Sequence, residues 1–264
     1  MSTTAAAKPT IDPSAMFRLD DRVAIVTGAS SGLGDRFARV LHAAGATVIA
    51  AARRVDRLHS LSRGLEGVAP VACDVTRAED VAHLVERTME VGGRIDVLVN
   101  NAGISTQGPA EDEPIDQWLE VMDTNLNGLF MLTQAVARHM IDQGHGSIVN
   151  IASMLGLVAS APVKQASYCA TKGAVVNLTR ELAVQWARKG LRVNAIAPGW
   201  FPSEMTQEKM FGDPDSMAFL ASNTPMARGG DEHELDGVLL FLASEASSYV
   251  TGQTIVVDGG WTAR

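Results

Sequence analysis

Residues 23–34 read VAIVTGASSGLG, and this stretch decides the fold. The run at 23–27 is apolar or β-branched throughout, which is typical of a strand covered on both faces of a sheet. Gly28, Gly32 and Gly34 follow where the strand turns into a helix, and glycines there allow positive φ and close approach of a pyrophosphate to the backbone. The spacing G-x-x-x-G-x-G predicts a nucleotide-binding turn. A tight strand-to-helix connection without a ligand is the alternative.

The rest of the chain alternates short β-branched runs with longer helical segments. Apolar residues recur at positions 33, 37, 40 and 41, which is one face of a helix that ends at Gly45. Thr76 and Glu79 have capping-box spacing and predict another helix start. Strand–helix–strand units of this length require right-handed crossovers, so we predict an α/β fold, a single Rossmann-like doubly wound parallel sheet with helices on both faces. The predicted strands are 23–27, 47–51, 70–73, 97–99, 147–151, 192–197 and 254–257.

We predict one domain. Residues 1–18 carry Ser, Thr, Ala and breakers such as Pro9 and Pro13 without periodicity, so we expect a flexible leader there, with order from about Leu19. Neither repeats nor a linker follow. Residues 19–264 are therefore expected to form a single dinucleotide-binding domain.

Composition excludes several classes of function. The 264 residues include 22 Lys and Arg against 30 Asp and Glu, a formal net charge of −8, which argues against nucleic acid as the main partner. No apolar run is long enough to cross a membrane, and residues 1–16 lack the apolar core of an export signal. Cys73 and Cys169 are too few for a disulfide framework or a four-cysteine metal site. We therefore expect a cytoplasmic protein without a membrane partner.

The end of the second predicted strand indicates which nicotinamide cofactor would bind. Such sites place a carboxylate there for the ribose 2′-hydroxyl of NAD, or an arginine for the 2′-phosphate of NADP. Residues 50–54 read AAARR, with no carboxylate before Asp56, so Arg53 predicts NADP(H), with NAD(H) as the alternative cofactor. The other interpretation is a pair of solvated arginines that opens a loop.

Polar segments after the third and fourth predicted strands are expected to form further parts of the cofactor-binding site. Asp74, which precedes Val75, can accept a hydrogen bond from the adenine amino group or can cap the next helix. Residues 100–103 read NNAG. Asparagine side chains bond the neighbouring main chain, so we expect this segment to brace the sheet edge below the cofactor.

Tyr168 and Lys172 are four residues apart, on one helical face. A free phenol has a pKa of about 10, and halving its protonation at pH 7 would cost roughly 4 kcal/mol. A nearby ammonium and an oxidised nicotinamide could supply part of that energy. The pair predicts an activated phenol, and an exposed pair on a helix surface is the alternative.

Five motifs in register resemble the short-chain dehydrogenases/reductases. They are TGASSGLG at 27–34, NNAG at 100–103, Ser153 after the fifth strand, Y-x-x-x-K at 168–172 and PG at 198–199. The resemblance extends over residues 19–261 and points to bacterial members that include 3-oxoacyl-carrier-protein reductases and glucose-dehydrogenase-like enzymes. It implies an NAD(P)(H)-dependent oxidoreductase that interconverts a carbonyl and a secondary alcohol. The C-terminal strand and the VDGG segment at 257–260 resemble the segment through which family members pair, which implies a homotetramer.

The resemblance also implies the roles of four catalytic residues. Tyr168 would be the general acid/base, and Lys172 would bind the nicotinamide ribose and lower the pKa of Tyr168. Ser153 would orient the substrate oxygen. Asn125, within a helix expected from Pro114 to about Met140, would interrupt that helix and hold a water that relays protons to the lysine.

The same resemblance completes the predicted cofactor site and adds a lid. Residues 200–203 would flank the nicotinamide, with Ser203 where the family often has a threonine that bonds the carboxamide. The stretch 200–225 is rich in methionine and resembles a mobile substrate lid, with two short helices packed on the body as the alternative. The predicted cofactor-binding residues are Gly28, Ser30, Ser31, Gly32, Leu33, Gly34, Arg53, Asp74, Val75, Asn101, Ala102, Gly103, Tyr168, Lys172, Pro198, Gly199 and Ser203.

Two departures from the family pattern bear on the substrate, a small carbonyl compound or alcohol. Ser153 and Tyr168 are fifteen positions apart, more than the commonest spacing, so we expect a longer loop near residues 159–164. The positions where carrier-protein reductases tend to have basic docking residues hold Gly144 and Lys189. Only one is basic, which argues against an acyl-carrier-protein substrate.

Two other functions stay open. One is an NAD-dependent sugar or polyol dehydrogenase, and the other is a non-catalytic dinucleotide-binding regulator. A regulator would be expected to lose Ser153, Tyr168 or Lys172 first, and all three are present. The six histidines lack metal-ligand spacing, so no metal site is predicted.

Overall fold

The parallel sheet follows from seven short apolar runs, of which the central ones are buried on both faces, whereas β3 and β7 at the two edges are only partly buried. The computed structural model describes residues 12–160, 163–204, 206 and 210–264. In this part of the chain, seven parallel strands pair in the order β3-β2-β1-β4-β5-β6-β7. The strands are β1 (Val23–Thr27), β2 (Thr47–Ala52), β3 (Val68–Ala72), β4 (Val97–Asn100), β5 (Gly146–Ile151), β6 (Leu191–Pro198) and β7 (Thr254–Val257).

The predicted fold class is confirmed, and every predicted strand is present. The first and last strands have the predicted bounds, and the others differ by one or two residues. The strand order reverses beside β1, which pairs with β2 on one side and with β4 on the other. A doubly wound sheet binds its ligand at such a reversal, beyond the carboxyl ends of the strands.

Helices cover both faces of the sheet, as the alternation of side chains along β1 requires. Ala24 and Val26 pack with helices α1, α2 and α8, whereas Val23 and Ile25 pack with α3, α5 and α6. The helices are α1 (Gly32–Ala43), α2 (Val55–Ser62), α3 (Ala78–Gly92), α4 (Ile115–Met122), α5 (Leu129–Gln143), α6 (Ala166–Trp186), α7 (Pro214–Asn223) and α8 (Asp236–Ala243). Within the described residues, no helix combines the length and the apolar character needed to cross a membrane.

The predicted capping box at the start of α3 is wrong. The N-cap position is Arg77, whose side chain makes no capping hydrogen bond. Thr76 instead donates its N–H and its hydroxyl to Asp74 Oδ1, at 3.0 and 2.7 Å. Glu79 accepts from Arg77 Nε at 3.0 Å, so neither member of the predicted box is available to cap the helix.

The helix expected from Pro114 to about Met140 is interrupted, as the resemblance implied. Helices α4 and α5 are separated by a π-helical turn at Asp123–Gly128, and Asn125 lies within it. The turn leaves no room for a side chain at Gly128, because a Cβ there would lie 2.7 Å from the carbonyl oxygen of Val75. π-helical turns are found mostly as short interruptions at functional sites.

The chain is anchored to the sheet layers from Leu19 onward. Leu19 is buried, and its N–H donates to the carbonyl of Ala44 at 2.8 Å. Residues 15–17 of the predicted leader form a short 3₁₀ turn, and residues 1–11 lie outside the described residues. In the predicted lid, residues 205 and 207–209 also lie outside them. Helix α7 forms part of the remainder, with Asp213 capping its first turn by accepting from Ser216 N at 2.8 Å.

Candidate active site

A cavity of about 600 Å³ opens beyond the carboxyl ends of the strands. All seventeen predicted cofactor-binding residues line it, and so does Ser153. Asn125 is the one predicted site residue that is not part of its wall. The topology therefore brings together residues that are up to 175 positions apart in sequence, from Gly28 to Ser203.

The glycine-rich turn has the geometry that a pyrophosphate requires. Gly28 and Gly32 have φ of +67° and +51°, and a Cβ on Gly28 would lie 2.8 Å from Asn101 Nδ2. Helix α1 begins at Gly32, so its first N–H groups face the cavity end of the turn. The residues present fit a dinucleotide, because Gly28 leaves the backbone of the turn open to a pyrophosphate. A side chain at Gly28 would clash with Asn101 and Ala102, which hold the turn.

The NNAG segment braces this turn, as predicted. Asn101 Nδ2 donates to the carbonyl of Thr27 at 3.0 Å. The backbone N–H groups of Asn101 and Ala102 both donate to Thr27 Oγ1 at 3.1 Å. Asn100 lies deeper, where its amide donates to Thr133 and Asn150.

Asp74 and Arg53 lie side by side at the far end of the cavity. Asp74 Oδ1 accepts the two hydrogen bonds from Thr76, and it does not cap α3, whose N-cap is Arg77. Partial burial opposes ionisation of Asp74, but the hydrogen bonds from Thr76 and the charge of Arg53 outweigh it and lower the pKa of Asp74. Arg53 is exposed at the rim of the cavity, as a residue that meets a 2′-phosphate must be.

A cluster that sequence reasoning missed lies beside Arg53. We call it the Glu204 cluster, and it consists of Ser30, Ser31, Arg54, Arg57 and Glu204. Arg54 Nη2 donates to Glu204 Oε2 and to Ser31 Oγ, both at 2.8 Å, and Ser31 Oγ donates to the same carboxylate oxygen at 3.0 Å.

The Glu204 cluster holds its carboxylate ionised. Arg54 Nε donates to Ser30 Oγ at 3.2 Å, and Arg57 also pairs with Glu204. The hydrogen bonds from Arg54 and Arg57 lower the pKa of Glu204 to about 2. Arg57 remains half exposed although it is paired. No local pattern signals this cluster, because Glu204 is 150 residues from Arg54.

Ser153, Tyr168 and Lys172 converge on the other end of the cavity. Ser153 follows β5, and its Oγ accepts from Leu155 N at 3.1 Å. Tyr168 lies in the first turn of α6, and Lys172 lies one turn later, with Nζ 5.6 Å from the centre of the phenol ring. Lys172 Nζ donates to the carbonyl of Ile151 at 2.7 Å. The helical spacing of the predicted pair is thus realised inside the cavity and not on an exposed surface.

Burial shifts the pKa values of this pair in opposite directions. It raises the pKa of Tyr168, and the interaction with the Ser153 side chain offsets part of that rise. Burial lowers the pKa of Lys172 to about 8. The net shift of the phenol pKa is upward, because desolvation of the phenolate outweighs the other contributions.

Asn125 connects three elements below the catalytic residues. Its Oδ1 accepts from Ile104 N, and its Nδ2 donates to the Ile104 carbonyl, both at 2.8 Å. Nδ2 also donates to Thr171 Oγ1 at 3.2 Å, next to Lys172 on α6. The π-helical turn is therefore joined both to the loop after β4 and to the catalytic helix.

A second missed group supports the first turn of α6. Glu113 Oε1 accepts from Thr106 Oγ1 at 3.0 Å and from Ser167 Oγ at 2.5 Å. Ser167 is fully buried and directly precedes Tyr168. Since Glu113, Thr106 and Ser167 are not adjacent in sequence and match no motif, the sequence held no signal for them.

An apolar cluster packs against the phenol ring of Tyr168. Met154, Leu155 and Trp261 are buried there, and Tyr168 packs against this group. Trp200 and Phe219 contact Trp261, with ring centres 5.9 and 6.0 Å apart. Thus Trp200 and Phe219, both from the predicted lid, meet the C-terminal 3₁₀ turn.

Other parts of the predicted lid also pack on the body. Met210 and Leu220 are buried, whereas Met217 is partly exposed, and Met205 lies outside the described residues. Ser203 Oγ lies 3.0 Å from Thr206 Oγ1, which donates to the carbonyl of Phe201 at 2.6 Å. Residues 161–162 of the loop that is predicted to be longer lie outside the described residues. At the end of that loop, Lys164 accepts through its carbonyl from Gly108 N, in the loop after β4, at 3.0 Å.

In the ranges that the structure describes, no three His, Cys, Asp or Glu residues are placed to hold a metal ion. Both cysteines are free thiols, and burial raises the pKa of the Cys73 thiol to about 12. A thiol with that pKa is a poor nucleophile at neutral pH.

Comparisons with known proteins agree with this geometry. The family model described as "Enoyl-(Acyl carrier protein) reductase" matches residues 28–262. The chain is 42% identical over 254 residues to a gluconate 5-dehydrogenase of Gluconobacter oxydans. This match covers 94% of this chain and 97% of that protein. It is 40% identical over 248 residues to a 3-oxoacyl-[acyl-carrier-protein] reductase of Thermotoga maritima, with coverage of 92% and 98%.

A solved structure is similar over almost the whole chain. The crystal structure of a gluconate 5-dehydrogenase from Burkholderia cenocepacia, in complex with NADP and tartrate, superimposes with a TM-score of 0.91 at 39% identity. The match covers 96% of this chain and 100% of that one.

Proposed function

The chain belongs to the short-chain dehydrogenase/reductase family and is an NAD(P)(H)-dependent oxidoreductase that interconverts a carbonyl and a secondary alcohol, for which we propose Tyr168 as the general acid/base. One observation carries the assignment of the residues. Ser153, Tyr168 and Lys172 meet at one end of the cavity that all the predicted cofactor-binding residues line. An enzyme of this kind takes the hydride from its cofactor and supplies the proton, the orientation and the charge itself.

The proposed proton path starts at the phenol. In reduction, Tyr168 Oη donates its proton to the carbonyl oxygen as hydride reaches the carbonyl carbon, and in oxidation it accepts the hydroxyl proton. Reduced nicotinamide, when bound, supplies that hydride. Ser153 Oγ orients the substrate oxygen toward Tyr168. The phenolate then regains a proton through Lys172, whose pKa of about 8 allows it to donate and accept near neutral pH.

Asn125 acts on this path as a positioning residue in our proposal. Its amide joins Ile104 and Thr171, so it holds the floor of the cavity next to Lys172. The water that the resemblance places between Asn125 and Lys172 would connect the lysine to solvent. Burial of both side chains, at 1% and 5% exposure, makes such a relay necessary for rapid proton exchange.

NADP(H) is the cofactor in this proposal. Arg53 stands at the end of β2, Arg54 lies next to it, and both line the cavity at its adenosine end. Arginine suits a phosphate monoester because its planar fork donates two parallel hydrogen bonds. The gluconate 5-dehydrogenase structure that resembles this chain holds NADP.

For the substrate, we propose a small ketone or secondary alcohol with one apolar flank. The support is the buried apolar cluster of Met154, Leu155 and Trp261, against which Tyr168 packs. A sugar acid or polyol is the second candidate, because two of the similar proteins are gluconate 5-dehydrogenases. An acyl-carrier-protein substrate has the support of the Thermotoga maritima relative, but Gly144 replaces one of the expected docking cations.

The experiment is a substrate panel followed at the absorbance of reduced nicotinamide. NADPH is offered with a cyclic diketone, a keto-aldonate, a ketohexose and a β-ketoacyl thioester, and NADP with the corresponding alcohols. We expect turnover with the diketone to exceed turnover with the sugar compounds. Faster turnover with the keto-aldonate would select the second candidate. Cofactor binding without turnover on any compound would contradict the assigned catalytic residues and favour a regulator.

We also propose a homotetramer located in the cytoplasm. Apolar side chains stand exposed on α4, α5 and α6, namely Ile115, Leu119, Phe130 and Val184. Exposed apolar faces on neighbouring helices are typical of subunit interfaces. Two free cysteines suit a reducing compartment, and cell fractionation tests that location.

A further inference from the structure

The adenosine end of the cavity contains an anion that belongs to the chain itself. Glu204, six residues beyond the end of β6, reaches across the glycine-rich turn to the loop after β2. Its carboxylate contacts Ser31, Arg54 and Arg57. Three donors from three separate positions therefore converge on one carboxylate at the rim of the cofactor cavity.

These donors have the chemistry of a phosphate monoester site. Guanidinium groups and serine hydroxyls are the side chains that bind phosphate oxygens through charge-assisted hydrogen bonds. The position of the site also suits a 2′-phosphate. Arg54 follows the end of β2, which is where the adenosine ribose of a dinucleotide lies in a doubly wound fold. Arg54 is held there by Ser30, which accepts from its Nε and Nη2 at 3.2 and 3.1 Å.

A carboxylate and a 2′-phosphate cannot share these donors without repulsion. Both groups are anions at neutral pH, since the hydrogen bonds from Arg54 and Arg57 lower the pKa of Glu204 to about 2. A bound 2′-phosphate would therefore compete with Glu204 for these donors, whereas NAD(H), which lacks that group, would leave the ion pair in place.

We propose that Glu204 is a specificity-determining residue whose carboxylate competes with the 2′-phosphate of NADP(H) for Arg54, Arg57 and Ser31. This inference rests on the proposed function. It assigns to the lid segment a direct influence on cofactor choice, because Glu204 weakens the NADP(H) preference that the arginines create. The same competition keeps NAD(H) usable as a cofactor.

The test measures dissociation constants for NADPH and NADH without substrate, by quenching of tryptophan fluorescence. Glu204→Gln keeps the size of the side chain but removes its charge. We expect it to tighten NADPH binding about fivefold, the effect of breaking one exposed ion pair, and to change NADH binding less than twofold. Glu90→Gln is the matched control, since Glu90 is an exposed carboxylate paired with Arg87 on α3 and neither residue lines the cavity.

A double-mutant cycle with Arg54→Gln identifies the donor involved. Arg54→Gln alone is expected to weaken NADPH binding about tenfold, in line with the loss of a charge-assisted phosphate contact. In that background, Glu204→Gln is expected to produce less than half of its single-variant gain. A gain of the same size in both backgrounds would contradict competition for Arg54.

The outcomes separate this inference from the proposed function. If the unmodified chain binds NADPH but Glu204→Gln leaves the NADPH-to-NADH ratio unchanged, the inference alone is overturned. Equal weakening of both cofactors would also overturn it, since Glu204 would then support the lid and not compete. If the unmodified chain binds neither cofactor, the proposed function fails and the inference fails with it.

Discussion

Tyr168 and Lys172 show how burial prepares an acid–base pair. Both lie in the cavity wall, and desolvation favours the uncharged form of each, so it raises the pKa of the phenol and lowers that of the ammonium to about 8. At neutral pH without cofactor, the phenol therefore keeps the proton that reduction requires. The positive charge of an oxidised nicotinamide would favour the phenolate, which is the form that alcohol oxidation needs.

Replacement of Tyr168 by Phe tests the phenol. We expect kcat to fall by about 10²- to 10⁴-fold, the usual contribution of a positioned general acid. Cofactor dissociation constants should change less than twofold, because the ring and its packing remain. The matched control is Tyr249→Phe, which alters the other tyrosine of the chain, a fully exposed one, and should leave kcat unchanged. Steady-state kinetics and fluorescence titration measure both, and retained turnover in Tyr168→Phe would remove the phenol from the mechanism.

The lowered pKa of Lys172 predicts a pH-dependent stability. The amino group titrates near 10.5 when unfolded and near 8 when folded, so below pH 8 the fold carries a buried charge that costs about 3 kcal/mol. Between pH 8 and 10.5 only the unfolded chain holds this proton, and the contribution to stability therefore rises with pH.

Lys172→Met removes this titration. The stability of the variant relative to the unmodified chain should therefore fall by about 2 kcal/mol between pH 7 and pH 9.5. Urea unfolding at both pH values measures it. The pH-independent cost of the lost bond to Ile151 cancels in this difference. Lys189→Met, at an exposed position, is the control and should show no such trend, and a pH-independent difference for Lys172→Met would contradict the burial of the charge.

At the scale of single elements, the π-helical turn at Asp123–Gly128 is the feature that local propensity explains least. An asparagine inside a helix is mildly unfavourable by itself. Here the side chain of Asn125 supplies hydrogen-bond partners to the loop after β4, because it pairs with both the N–H and the carbonyl of Ile104. The turn is therefore stabilised by a contact between elements and not by its own sequence.

Asn125→Ala should destabilise the chain by about 1 to 2 kcal/mol, since it leaves two partly buried main-chain groups of Ile104 without their side-chain partner. It should also lower kcat more than it raises KM, because the floor below Lys172 loosens. Asn127→Ala is the control from the same turn, since Asn127 is exposed and bonds only Asp123. Urea unfolding and kinetics measure the pair, and equal effects of the two substitutions would show that Asn125 has no special role.

The elements that the sequence predicted well are those whose signal is local. The strands are continuous apolar runs because both faces of the sheet are covered, and such runs read directly from the chain. The start of α3 was predicted wrongly, because Asp74 binds Thr76 and Arg77 binds Glu79, and neither preference is visible in the capping-box spacing.

The site divides in the same way. The glycine-rich turn, the NNAG segment and the Y-x-x-x-K pair have fixed spacing, and the structure brings them together as expected. The Glu204 cluster and the Glu113 group depend on how a loop crosses the sheet edge, and no spacing in the sequence encodes that path. The direction in which the pKa of Tyr168 shifts depends on how deeply the phenol is buried, which is a property of the assembled fold.

At the scale of the whole molecule, four exposed apolar side chains lie on helices α4, α5 and α6. Ile115 and Leu119 lie four residues apart on α4, and they are 67% and 51% exposed. Phe130 on α5 and Val184 on α6 are also exposed apolar side chains. Burial of these groups between chains would gain free energy at about 25 cal/mol per Å² of apolar surface, which a monomer forgoes.

A charge placed on α4 should therefore break the proposed homotetramer. We expect size-exclusion chromatography with light scattering to give the tetramer mass for the unmodified chain and a smaller species for Leu119→Lys, because a lysine in a dry interface loses its hydration without a partner. Gln117→Lys is the control, since it adds the same charge to an exposed polar position of the same helix. A tetramer that survives Leu119→Lys and Ile115→Lys would place the interface elsewhere, and a monomeric unmodified chain would contradict the homotetramer itself.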